Sequence, residues 1–122
     1  APGCKQGIKN KRIVNSIDIY PTLMELCKIP LPAGLDGLSF ATLLNKPNDK
    51  KWIDAAYSYY RNCITLRTPE YRFTRYNKKG EIITELYQYD EDRIERKNIA
   101  KEKPDVVQKL LPLWEQGVRF DF

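Results

Sequence analysis

The hydrophobic period of this chain changes from helical to alternating close to residue 50, and the change places a helical part ahead of a sheet. From Ile13 to Cys27 the apolar positions Ile13, Ile17, Tyr20, Met24 and Cys27 step by four, three, four and three, with Leu23 and Leu26 widening the stripe. This spacing predicts a helix over about 16–28 with one well-buried side. Asp18 is placed to cap its start by accepting a backbone N–H bond, and Pro21 falls in the first turn, where its missing N–H costs nothing. Pro30 ends it. Beyond residue 50, Ile53, Ala55, Tyr57 and Tyr59 alternate with Asp54, Ala56, Ser58 and Tyr60, the period of a half-buried strand.

Between these parts, Pro30-Leu31-Pro32-Ala33-Gly34-Leu35-Asp36-Gly37 holds two prolines and two glycines in eight residues and reads as a connector. Ser39 is placed to cap a short helix through Leu44, and Asn45-Lys46-Pro47-Asn48-Asp49-Lys50-Lys51 follows as a polar loop separating two structural layers. Three more strands are expected after the first: Ile64 and Leu66 share a side in the second, Tyr71 and Phe73 in the third, and Ile82, Thr84 and Leu86 in the fourth. Arg61-Asn62, Pro69-Glu70 and Asn77-Lys78-Lys79-Gly80 supply the turns, and connections this short make an antiparallel meander the economical topology.

After a charged loop over 90–103, Pro104 fits a first helical position, Asp105 complements the helix dipole, and Val107, Leu110, Leu111 and Trp114 form a helical stripe. Pro112 removes an interior hydrogen bond, so a kink or an early stop near Leu111 is expected. A one-sided sheet and an amphipathic helix each need an apolar partner. The fold class is therefore α+β: a four-stranded antiparallel sheet packed against a C-terminal helix, preceded by a helix of a different layer.

Composition narrows the chemistry. A chain of 122 residues buries roughly two-thirds of its unfolded surface as one domain, and 42% hydrophobic with 30% charged residues lies in the globular range, which excludes disorder. No stretch reaches the apolar length of a membrane span, and no apolar run follows a basic start, so neither a membrane partner nor a signal peptide is expected. Cys4, Cys27 and Cys63 include no Cys-x-x-Cys pair, which argues against a zinc site or a disulfide framework. The net charge of +5 is spread along the chain and mildly favours polyanions, nucleic acid and sulfated sugars among them.

The chain has no histidine, which removes Ser-His-Asp and Cys-His catalysis. Gly34 and Gly37 flank Leu35-Asp36 without the Lys-Ser/Thr of a phosphate loop. Glu91, Asp92 and Glu95 lack the spacing and central glycine of a calcium loop, and they alternate with Arg93, Arg96 and Lys97 as a solvated segment does. Tyr57, Tyr59, Tyr60, Tyr71, Phe73, Tyr76, Tyr87 and Tyr89, with Arg61, Arg67, Arg72 and Arg75 nearby, have the composition of a single-strand binding platform. Aromatic residues are also ordinary strand formers, with half the rings in the core and half covering the sheet. No ribonucleoprotein-like motif accompanies them, and a stand-alone module binding nucleic acid or glycan is kept as the alternative.

Five segments carry a family resemblance. Ile17-Asp18-Ile19-Tyr20-Pro21-Thr22-Leu23 resembles the Asp-x-x-Pro-Thr-Leu helix near the end of the sulfatase catalytic domain, and Leu35-Asp36-Gly37-Leu38-Ser39-Phe40 resembles the family's Asp-Gly-x-Ser segment. Ala56-Tyr57-Ser58, then Leu66-Arg67-Thr68 with Tyr71-Arg72-Phe73, then Glu85-Leu86-Tyr87 with Asn98-Ile99-Ala100 are similar to the C-terminal subdomain, most of all in the iduronate-2-sulfatase-like branch. Their order and spacing agree with the family from about Ile13 to Trp114. Arg93 departs from it, standing where many members have proline in the turn after the last strand.

The resemblance implies a parent enzyme of the formylglycine-dependent, alkaline-phosphatase-like superfamily that hydrolyses sulfate esters, with formylglycine made from a cysteine or serine beside a calcium ion. Those groups belong to the preceding catalytic domain, so no catalytic residue, metal ligand or cofactor is expected in this chain, which by itself is expected to be inactive. Residues 1–44 are expected to be the terminal piece of the catalytic domain and 45–122 the C-terminal subdomain. The implied partners are the catalytic domain and a sulfated sugar, with no nucleic acid, and the implied location of the parent is extracytoplasmic: periplasmic, secreted or lysosomal. Tyr60, Arg61 and Asn62, at the first strand turn, are the candidates for touching substrate, against the plainer role of a hairpin turn. Arg67 and Arg72 are expected to pair with Glu85 or Asp90 across the sheet. Cys63-Ile64-Thr65-Leu66-Arg67 has the Cys and Arg spacing of the family's Cys-x-Pro/Ala-x-Arg modification site, but Thr65 stands at the Pro/Ala position and the segment reads as a strand, so Cys63 is expected to be structural.

Overall fold

The structure, a computed structural model, describes residues 4, 6–7, 9–89 and 94–118. It divides into two compact units, residues 1–54 and 55–122.

In the first unit a 3-10 turn, Ser16–Asp18, leads into α1 (Ile19–Leu26), and α2 (Ala41–Asn45) follows. Ser39 Oγ accepts the Ala41 N–H at 3.2 Å, but the N-cap position is Phe40 and no side chain caps α2, so the expected serine cap is not formed. Helix α1 lies where the apolar period places it, but its buried side is the reverse of the expected one. Ile17, Ile19, Tyr20 and Leu23 are each at least half exposed, while Pro21, Thr22 and Asp18 are buried.

Hydrogen bonding explains the reversal. Asp18 makes no side-chain cap to α1; its carboxylate instead accepts the Asn15 N–H at 2.7 Å and the Leu38 N–H at 2.9 Å. Thr22 Oγ1 donates to the Asp18 carbonyl at 2.6 Å and accepts the Phe40 N–H at 3.0 Å. Leaving such groups buried without partners costs about 1–3 kcal/mol each, which is comparable to the gain from burying one large apolar side chain. The polar side is held inward, and Leu43 is the buried hydrophobic residue of this unit among those described.

The second unit is a meander, β1 (Ala56–Tyr60), β2 (Cys63–Arg67), β3 (Tyr71–Lys78) and β4 (Glu81–Gln88), with α3 (Pro104–Glu115) against one face. All three pairings are antiparallel, with Leu66, Phe73 and Leu86 side by side in register. These three and Ile64 are fully buried, and Leu110 and Trp114 of α3 close the core. The Trp114 ring meets Phe73 edge to face at 6.3 Å, and its indole N–H donates to the Ile64 carbonyl at 3.0 Å. The strand alternation puts Tyr57, Tyr59, Tyr71 and Phe73 on the α3 side and Tyr60, Tyr76, Tyr87 and Tyr89 on the other.

Helix α3 runs through Pro112 to Glu115, without the expected stop at Leu111. Gln108 and Pro112 are both exposed, so the carbonyl that the proline deprives of its helical partner belongs to a residue open to solvent. The last turn is held from outside: Tyr57 donates its hydroxyl to the Leu113 carbonyl at 2.7 Å and Tyr59 to the Gly117 carbonyl at 2.6 Å. A Cβ on Gly117 would lie 2.2 Å from the Tyr57 ring, so glycine is required for this approach.

Candidate functional site

The β1–β2 connection is the two-residue turn Arg61–Asn62, since Tyr60 and Cys63 face each other in register. Arg61 has φ +54°, in the left-handed region that favours glycine. Its guanidinium lies 5.3 Å from the centre of the Tyr60 ring, and Tyr60 is 70% exposed. The Asn62 amide donates to the Asn77 carbonyl of β3. This bond ties the turn to the other hairpin, whose own turn, Lys79–Gly80, has positive φ at both residues. The structure therefore brings the three predicted residues to one end of the sheet, with Lys78 and Lys79 at the same end.

The sheet face away from α3 is polar and stacked. Arg67 lies 4.8 Å over the Tyr89 ring and Arg72 lies 4.7 Å over the Tyr87 ring. Arg72 pairs with Glu95, where Glu85 or Asp90 was expected; Glu85 instead accepts the Tyr76 hydroxyl at 3.2 Å. Residues 98–100 run beside β4, with Asn98 Oδ1 accepting the Leu86 N–H at 3.0 Å and the Ile99 N–H donating to the Leu86 carbonyl at 2.8 Å. Glu95 precedes that anchored segment, which brings it within reach of Arg72. Burial alone disfavours a charged guanidinium, but the hydrogen bond and charge of Glu95 outweigh it and raise the Arg72 pKa. The Tyr76 phenol is pushed up by burial and then by the charge of Glu85.

A cleft of about 280 Å³ lies between the 68–71 turn and α3, lined by Thr68, Glu70, Tyr71, Val106, Lys109 and Leu110. Thr68 is committed to the turn, its Oγ1 accepting the Tyr71 N–H at 3.0 Å.

Among the described residues no group of three or more His, Cys, Asp or Glu is able to hold a metal ion. Glu91 and Asp92, together with Asp90 and Arg93, lie outside the described residues. Cys63-Ile64-Thr65-Leu66-Arg67 is β2 itself, an inner strand with Ile64 and Leu66 fully buried, and Cys63 is a free thiol facing away from α3.

Several segments that carry the family resemblance are structural clamps. Asp18 and Thr22 hold the 38–40 backbone, and Gly37 sits so close to it that a Cβ would lie 2.3 Å from the Ile17 carbonyl oxygen. Asn98 holds β4. Sequence reasoning missed the Asp18–Leu38, Asn98–Leu86 and Arg72–Glu95 partnerships, because each joins residues at least 12 positions apart without a periodic signal. The clustering of Asp18 and Thr22 with Gly37 in resembling motifs was the available clue.

The comparisons agree with the motif order. Residues 2–116 match the family model described as N-sulphoglucosamine sulphohydrolase, C-terminal. The chain is 31% identical to arylsulfatase K of Danio rerio over 89% of its own length and 23% of that protein. It is 35% identical to the Delta 4,5-hexuronate-2-O-sulfatase of Bacteroides thetaiotaomicron, over 71% of its own length and 19% of that protein. A crystal structure from Bacteroides thetaiotaomicron, of a protein assigned as a sulfatase, superposes with a TM-score of 0.70 at 29% identity, covering 95% of this chain and 27% of that one. The chain thus spans about a quarter or less of the length of these relatives.

Proposed function

The chain belongs to the family of N-sulphoglucosamine sulphohydrolase C-terminal domains, and from that premise we propose that it serves a sulfatase that hydrolyses sulfate esters of sugars. The carrying observation is the family match across residues 2–116, with sulfatase relatives on the same span. A sugar substrate is favoured by the likeness to the Delta 4,5-hexuronate-2-O-sulfatase, since a hexuronate is a sugar acid. In this reading the leading part of the chain completes the catalytic domain, the sheet and α3 support it, and calcium and formylglycine reside upstream. The whole enzyme works outside the cytoplasm. Among the described residues no helix is long and apolar enough to cross a membrane.

Tyr60, Arg61 and Asn62 are proposed to line the substrate entrance. Support comes from this end of the sheet, where exposed Arg61, Lys78 and Lys79, of the sign that attracts a sulfate, stand, among the described residues, against the one carboxylate of Glu81 opposite Lys78. Backbone strain at Arg61 adds weight, because a non-glycine residue costs roughly 1–2 kcal/mol there. In the full-length enzyme Arg61→Ala is expected to raise KM for a sulfated sugar with kcat unchanged. Arg61→Gly should do the same while stabilising the fold by up to about 1 kcal/mol through relief of strain. Unchanged KM in both variants sinks the entrance assignment.

The family reading is tested upstream. The coding sequence before this segment should contain Cys/Ser-x-Pro/Ala-x-Arg, and the full-length protein should hydrolyse an aryl sulfate in a calcium-dependent way. The 122-residue chain alone should not. An aldehyde at Cys63, detected by mass spectrometry, would overturn the assignment of the nucleophile to the preceding domain.

A further inference from the structure

The sheet face away from α3 carries a guanidinium that no carboxylate answers. Arg67 and Arg72 stand directly opposite each other in register, and like charges so placed destabilise a sheet. Glu95 pairs with Arg72, whereas among the described residues no carboxylate lies within ion-pair distance of Arg67. Arg67 is exposed, yet its head is held over the Tyr89 ring at 4.8 Å. The ring covers one face of the guanidinium and leaves its N–H edge open, the planar fork that binds an oxyanion through paired hydrogen bonds.

A polar track joins this group to the β1–β2 turn. The next row on the same face is Ser58 opposite Thr65, an exposed and a half-buried hydroxyl, and the row beyond is Tyr60 opposite Cys63. Tyr60 is 70% exposed and holds Arg61 at its ring. Along β2 the step from Arg67 to Cys63 covers roughly 13 Å, which exceeds the length of one pyranose ring. Cations at both ends, hydroxyls between them and an exposed aromatic ring are complementary to a chain of sugars with sulfates on separate units, and not to a single small sulfate ester.

On the sulfatase reading above, we propose that Arg67 is a specificity-determining contact whose guanidinium receives a sulfate on a sugar unit further along the chain than the unit admitted past Arg61. The substrate is accordingly a sulfated oligosaccharide, and Arg67 acts in binding and not in the chemical step.

The test uses the full-length enzyme, a uronate–hexosamine tetrasaccharide sulfated throughout, its unsulfated counterpart and an aryl sulfate. Arg67→Ala and Arg67→Gln should each weaken binding of the sulfated tetrasaccharide, read by calorimetry, at least about fivefold, and raise its KM with kcat unchanged. Arg67→Gln keeps the length of the side chain over Tyr89 and guards against lost packing, and Arg67→Lys should recover part of the affinity. KM for the aryl sulfate, which is too short to reach Arg67, should stay the same in every variant, and the unsulfated tetrasaccharide should bind wild type and variants alike. Equal affinity for the sulfated tetrasaccharide in wild type and both variants overturns the contact. So does an equal loss in Lys101→Ala, an exposed cation outside this face, because net charge alone would then explain it. A loss that persists with the unsulfated sugar also overturns it, since a uronate carboxylate would be the group bound. Binding through Arg67 without hydrolysis of either sulfate ester defeats the functional reading alone, and hydrolysis of both with Arg67 indifferent defeats this contact alone.

Discussion

At the scale of single residues, the positions that carry the family resemblance hold backbone in place. Gly37 is the sharpest case, because its missing side chain admits the Ile17 carbonyl. Gly37→Ala should destabilise the first unit by about 1–3 kcal/mol, the usual range for overpacking a close contact, with the second unit untouched. The check is thermal melting of the 122-residue chain with a first-unit probe, Trp52, and a second-unit probe, Trp114, each read in the other's Phe variant. Equal loss at both probes would contradict the local clamp. Gly37 and Thr22 were visible in the sequence as motif letters, but their purpose was not, since a hydrogen bond to Phe40 from 18 residues away leaves no periodic trace.

Among elements, α3 and the open sheet face show propensity overruled by tertiary contacts. Pro112 predicts a kink or an early stop, yet α3 continues to Glu115, and Trp114, Tyr57 and Tyr59 anchor the turn that follows the proline. Because Pro112 is exposed and sits within continuous helix, Pro112→Ala should stabilise the chain by about 1–3 kcal/mol in urea denaturation. A loss of stability would mean that the proline is needed for the geometry of the last turn.

On the opposite face Tyr76, Tyr87 and Tyr89 are raised above the ordinary 10.0, in each case first by burial. The unfolded chain therefore releases these protons at lower pH than the folded one. Stability from this source is intact below pH 10 and falls as pH climbs through the folded-state values. Urea midpoints should decline over that alkaline range, and Tyr76→Phe, which has no phenolic proton, should make the decline shallower. A midpoint that rises there is inconsistent with the sign of these shifts.

For the whole molecule, the two units differ in what holds them together. The second has a core of fully buried Ile64, Leu66, Phe73 and Leu86 closed by Trp114, whereas the first relies on polar clamps around Leu43. Hydrogen exchange should show amides of β2, β3 and β4 protected at least about a hundredfold more than those of α1 in the 122-residue chain; equal protection would refute the contrast. The sequence by itself determined the meander, the strand faces, α3 and the family, because alternation, turn chemistry and ordered motifs are local signals that survive without a fold. It also placed α1 correctly along the chain. Only the tertiary structure decided which way α1 faces, that α3 passes Pro112, and that Arg72 pairs with Glu95. Each of these is a competition between local preference and a hydrogen bond or contact distant in sequence, and such a competition is settled only when the distant partner is in place.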